Sequence, residues 1–178
     1  MKKQLIFLSI VALLILGWYL FSPLFIDTQV NEAFPETVME TQETPSSVSI
    51  IPTETHDAGS ETVLPQLILS GTFEDVDIVH KGRGIVKIYE LSSGTQVLRL
   101  EDFEVTNGPS LHVILSAHPR PRSSAEVKDA GYLDLGNLKG SVGNQNYTLP
   151  DNTDVSQFKS VVIYCYPFNV VFSTGTLK

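Results

Sequence analysis

From residue 66 to the C-terminus, short runs of β-branched, aromatic and aliphatic residues alternate with clusters of Gly, Ser, Asp and Asn. No helical period of useful length appears among them. This rhythm confines residues 66–178 to an all-β fold, and the number of short strands points to an antiparallel β-sandwich, with barrel-like closure as the alternative. Strands are expected at residues 67–73, 84–91, 96–105, 111–115, 133–138, 146–149, 160–164 and 169–177. Within QVLRLEDFEV, Leu98 and Leu100 share one parity while Phe103 and Val105 share the other. Side chains alternate strictly along a strand, so the switch predicts a bulge at Glu101-Asp102. Residues 117–129 read as a long polar loop with room for one helical turn.

Two segments of different character precede this domain. Residues 5–26, LIFLSIVALLILGWYLFSPLFI, hold 22 residues without a charge. As a helix they would span about 33 Å, enough for a hydrocarbon core of about 30 Å. Lys2 and Lys3 precede the run and Asp27 follows it, which predicts a cytoplasmic N-terminus (residues 1–4) and an extracytoplasmic C-terminal domain at the cell membrane. The run is longer than the apolar region of a cleaved signal, and no small-x-small site follows, so a transmembrane signal anchor is expected. Residues 27–65 carry eight acidic groups, no Lys or Arg, and many Thr, Pro and Ser residues. They read as a disordered acidic linker holding the domain away from the bilayer. The net charge of −8 belongs to this linker, because the domain itself carries twelve acidic and ten basic groups. No basic stripe exists to meet a phosphate backbone, so nucleic acid is not an expected partner and a membrane is.

The chemistry-bearing residues are few. Cys165, the single cysteine, lies in VVIYCYPFNVVF, the most apolar stretch of the domain. Alternation places Val161, Ile163 and Cys165 on one face of a strand, with Val162 and Tyr164 on the other. If the first set faces the core, the thiol is a small buried hydrophobe. If not, it is a redox or ligand group, although no Lys, Arg or His stands near it in sequence to favour a thiolate. Asp75, Asp77 and His80 share the densest polar cluster and form a candidate cation site; a solvated hairpin tip is the plainer account. His112 shares a strand face with Ile114 and reads as a surface histidine. No HExxH, CxxC, GxSxG, P-loop or GxGxxG occurs, which removes the common zinc, hydrolase and nucleotide-binding classes and leaves enzymatic activity open.

Four blocks in order, SGTFEDVDIVHKGRG, DFEVTNGPSLHVIL, YLDLGNLKGSVGNQNYTLP and SVVIYCYPFNVVFSTGTL, resemble the DM-thirteen domain family and together cover about residues 66–178. The resemblance implies a β-sandwich distantly allied to cytochrome-type electron-transfer domains. It further implies that Cys165 acts in redox chemistry or haem ligation, with His80 as a second cofactor-binding candidate. Gly136, Gly140 and Gly143 then read as structural, as do the turn-setting Pro109 and Pro150. The chain has two methionines, Met1 and Met39, and both lie outside the domain, so no methionine supplies a second axial haem ligand. The expected function is a redox or electron-transfer role at the membrane, with a redox partner protein and haem as the candidate cofactor. The alternative is a non-catalytic cell-surface or envelope interaction module in which Cys165 is structural.

Overall fold

The computed structural model describes residues 27–35 and 64–178, together with residues 4, 7, 10 and 11. The eight strands are β1 (Gln66–Asp75), β2 (Gly82–Glu90), β3 (Gln96–Val105), β4 (Leu111–Ser116), β5 (Tyr132–Asn137), β6 (Val142–Thr148), β7 (Ser160–Cys165) and β8 (Val170–Leu177). They form one sheet in the order β5-β4-β7-β8-β1-β2-β3-β6, with every neighbouring pair antiparallel. The domain is therefore all-β as expected, but built as one continuous half-barrel sheet whose walls face each other across a core, as the layers of a sandwich do.

The connectivity explains the curl. β5 and β6 are the two outermost strands, yet residues 138–141 alone join them. Laid flat, eight strands would put those edges about 34 Å apart. Four residues reach roughly half that distance. The sheet must bend until its edges approach, and its concave face encloses Phe73, Val86, Ile88, Leu98, Leu100, Phe103, Val113, Leu115, Val161 and Ile163. A buried amide holds the short connection in place. Gln145 Oε1 accepts from the Lys139 and Gly140 amides and from the Tyr147 hydroxyl, while its Nε2 donates to the Gly140 carbonyl at 2.8 Å.

The bulge anticipated in β3 is present. Pairing with β6 slips between Leu100 and Phe103, and Asp102 takes φ +46°. β6 begins at Val142, earlier than its composition suggests. Gly143 and Asn144 are poor strand formers, and they are drawn into the sheet by partners on both sides. The polar loop after β4 contains helix α1 (Ser124–Ala130), started by a capping box between Ser123 and Glu126. Its Val127 is buried on the outer face of the sheet against Ile114, Val162, Tyr164 and Val171.

The linker reading does not extend to residues 27–35. This strap lies parallel to β6: the Val30 and Glu32 amides donate to the Val142 and Asn144 carbonyls, and the Val142 amide donates to the Thr28 carbonyl. The Glu32 carboxylate accepts from Lys139 Nζ at 2.8 Å and from the Asn146 amide at 2.7 Å. Burial pushes the Glu32 carboxyl up, but Lys139, the Asn146 amide and Arg99 outweigh it and hold the group below its ordinary range. Phe34 meets Tyr89 edge-on, with the Arg99 guanidinium over its ring. An acidic composition predicted solvation for this segment, whereas pairing with a sheet edge satisfies its backbone and carboxylate together. Residues 36–63, and residues 5–26 apart from 7, 10 and 11, lie outside the described residues. Among the described residues, no helix is long and apolar enough to cross a membrane.

Two substitutions test this construction. Gln145→Leu leaves the Gly140 carbonyl and amide without their buried partner and should lower unfolding free energy by about 2–3 kcal/mol in urea titration. Gly143 has φ +107°, and a Cβ there would stand 2.0 Å from the Val30 carbonyl oxygen. Gly143→Ala should therefore cost about 1–3 kcal/mol and expose residues 27–35 to limited proteolysis, with the β-domain left resistant.

Candidate functional site

Cys165 ends β7 and is fully buried. Its parity is as expected: Val161, Ile163 and Cys165 join the main core, while Val162 and Tyr164 face α1. In the sheet it stands opposite Leu111 of β4 on one side and Val170 of β8 on the other. The thiol donates to the Pro109 carbonyl at 3.1 Å. Haem ligation demands open space beside the sulfur for a large planar ring. Cys165 lines none of the four surface cavities described, and its sulfur is enclosed by core side chains. The residues as folded do not fit a haem at this thiol.

The other sequence candidates lie at the same end of the sheet but turn to other partners. In the β1–β2 turn, the Asp77 carboxylate accepts from the Val79 and His80 amides and bonds His80 Nδ1, each at 2.7 Å. The His80 side chain, followed by the two amides, pulls the Asp77 carboxyl down to about 2. The His80 ring packs edge-on against Phe172, a member of the core cluster that also holds Cys165. Asp75 points to the base of the turn, where its Oδ1 accepts from the Gly82 amide at 3.0 Å. Asp75 Oδ1 and both Asp77 carboxylate oxygens thus bond within the turn and its base. Among the described residues, no three His, Cys, Asp or Glu side chains converge as a metal-binding group.

A cluster that sequence reasoning passed over covers the outer face beside Cys165. His112 Nδ1 lies 3.0 Å from Asp134 Oδ2, and the Tyr166 hydroxyl donates to the same oxygen at 3.0 Å. The Tyr166 ring stacks edge-on with both His112 and Tyr164. Burial pushes the Tyr166 phenol up, and its bonds to Tyr132 and Asp134 push it further. Burial also raises the Asp134 carboxyl, but the Gly136 amide, His112 and Tyr166 outweigh it and hold the group low. The Tyr164 hydroxyl sits 2.6 Å from Ser124 Oγ and 3.2 Å from Asn169 Oδ1. Each residue looks like an ordinary strand surface position by itself. The available signal was the alternation of Tyr132 and Asp134 on one strand face, but register across β5, β4 and β7 was needed to bring His112 and Tyr166 to them. His118 is occupied locally, with Nδ1 accepting from the Arg120 amide, and His56 lies outside the described residues.

Burial of Cys165 predicts that native-state alkylation fails until the chain unfolds. Cys165→Ala should cost about 1–3 kcal/mol, read from chemical denaturation, through the cavity left behind. Cys165→Ser should cost less than an unpaired buried hydroxyl would, because the Pro109 carbonyl is in place to accept from it. For Asp134, a folded pKa below the ordinary 3.8 means that its ionised form stabilises the fold above that pH, and the contribution is lost as pH falls below it. The difference in melting temperature between the wild type and Asp134→Asn should accordingly shrink as pH is lowered from about 5 to about 2.

Searches of curated proteins and of solved structures return no match for this chain. Its sequence does match a family described as electron transfer DM13 over residues 72–177, from the middle of β1 to the last residue of β8. That match spans more than half of the chain and takes in all or part of each of the eight strands, and the protein therefore belongs to the electron transfer DM13 family.

Proposed function

We propose that this chain is a single-pass membrane protein whose extracytoplasmic domain transfers electrons to or from a partner protein, with the C-terminal end of β7 as its redox region. The family match carries the electron-transfer part of this reading. The uncharged run at residues 5–26, with lysines before it and an aspartate after it, supports the anchor and its orientation. At the end of β7, Cys165 faces inward while Tyr164 and Tyr166 mark the outer side. Tyr166 is the redox-capable group with a proton acceptor in place. Loss of one electron to an oxidising partner protein would release its phenolic proton to Asp134, which already accepts the hydrogen bond. Cys165, the residue before Tyr166 and the last of β7, is the second redox candidate, reached through protein and closed to bulk reagents.

The complete burial of Cys165 favours one competing reading, an interaction module in which the thiol is a core residue. Protein-film voltammetry on the full chain in detergent separates the two. Electron transfer through this strand predicts a redox wave that disappears in Tyr166→Phe or Cys165→Ala while the melting transition persists. No wave in the wild type, or a wave untouched by both variants, would leave the interaction module. Carbonate extraction of membranes should leave the full chain in the pellet if residues 5–26 are an anchor.

A further inference from the structure

Antiparallel connectivity sorts the loops into two ends. The connections after β1, β3, β5 and β7 meet at one end, here called upper, and those after β2, β4 and β6 leave from and return to the other. The upper end exposes Ile78 (89 %) and Val79 (61 %) on the β1–β2 turn and Phe168 (68 %) on the β7–β8 turn. These turns are neighbours because β1 pairs with β8. Neither is loose. The Val76 and Asp77 amides bond the His80 carbonyl, and Asp77 caps the turn from inside. The Asn169 amide bonds the Tyr166 carbonyl, and Lys128 Nζ holds Asn169 Oδ1 at 2.7 Å. Two firmly built turns thus present large apolar side chains outward, next to each other.

The chain also enters the domain at this end. Asp27 is the first residue after the uncharged run. Its carboxylate accepts from Asn107 Nδ2 at 2.8 Å, and the neighbouring Thr28 amide donates to Ser141 Oγ at 3.1 Å. Asn107 and Ser141 both belong to upper-end loops. From there the strap runs parallel to β6, away from the upper end, so that Phe34 reaches Tyr89 near the far end of β2. Residues 36–63 then connect the lower end of the strap to the lower end of β1. The acidic linker does not lie between the apolar run and the domain, because the domain is fastened to the first residues after that run.

We propose that the upper end is a lipid-facing surface, with Ile78, Val79 and Phe168 lodged in the headgroup and outer acyl region of the bilayer that residues 5–26 enter. The inference rests on the reading of residues 5–26 as an anchor. Interfacial amphipathic helices bury their apolar faces about 5–10 Å into the headgroup and acyl boundary, and the same transfer of apolar area out of water favours seating these two turns there. The surrounding charges are of both signs, Lys81 and Arg83 beside Asp75 and Glu104, so apolar contact rather than attraction to anionic lipid is the recognising chemistry. The orientation also turns the upper end of β7, with Cys165 and Tyr166, towards the membrane.

Tryptophan quenching in phosphatidylcholine vesicles with brominated acyl chains tests this on the full chain. Trp18 is the single native tryptophan and reports on the anchor itself. In a Trp18→Phe background, Ile78→Trp and Phe168→Trp report on the upper end, and Asp151→Trp reports on the lower end. All three new positions are exposed, so the fold should tolerate them. The expected result is quenching of Trp18, Ile78→Trp and Phe168→Trp, with Asp151→Trp unaffected. Quenched Trp18 with unquenched upper-end reporters would keep the anchor and overturn the lipid-facing surface. Upper-end emission that is blue-shifted but unquenched would also overturn it, with protein covering the surface instead. Unquenched Trp18 would remove the anchor reading and this inference together.

Discussion

The Gln145 amide occupies the point on which the rest of the fold depends. It bonds the backbone of Lys139 and Gly140 inside the connection between the two outermost strands, with Tyr147 completing the set. Buried polar groups are costly unless paired, so this arrangement admits very little drift. A short, firmly held link between β5 and β6 compels eight strands to curl around a single core. The curl then decides which faces are inner and which are outer. Cys165 is inner as a consequence, and the tyrosine, histidine and aspartate cluster is outer.

The strap depends on the same corner. Gly140 and Gly143 let the backbone of residues 28–30 approach where any Cβ would collide with it. β6 is otherwise an edge strand, and edges are prone to unwanted pairing. Here the edge is covered by the chain's own residues, held by Glu32 between Lys139 and the Asn146 amide. A composition that reads as solvated linker has become part of the folded unit. The glycines that a sequence reading assigns to turns serve close approach as well.

Much of this was legible in the residues. Antiparallel β architecture, most strand positions, the bulge at Glu101-Asp102 and the face that Cys165 shares with Val161 and Ile163 all follow from period-two alternation, which is a local property. The His112, Asp134 and Tyr166 cluster was not legible, because its members come from β4, β5 and the turn after β7 and meet only through the register of three strands. The partners of Asp75, Asp77 and His80 were not legible either, for a related reason. Proximity in sequence suggested a shared ligand, whereas hydrogen bonds within the turn direct Asp75 to Gly82 and Asp77 to His80.

What the sequence determined by itself is therefore the part carried by neighbours along the chain: strand rhythm, the uncharged run at residues 5–26 and which residues of a strand share a face. Tertiary structure alone decided that the sheet is one curled surface, that residues 27–35 belong to it, and that the thiol is closed off from large ligands. Those outcomes depend on loop reach, edge pairing and the enclosure of one side chain by many distant ones, and none of these quantities is a function of a short window of residues.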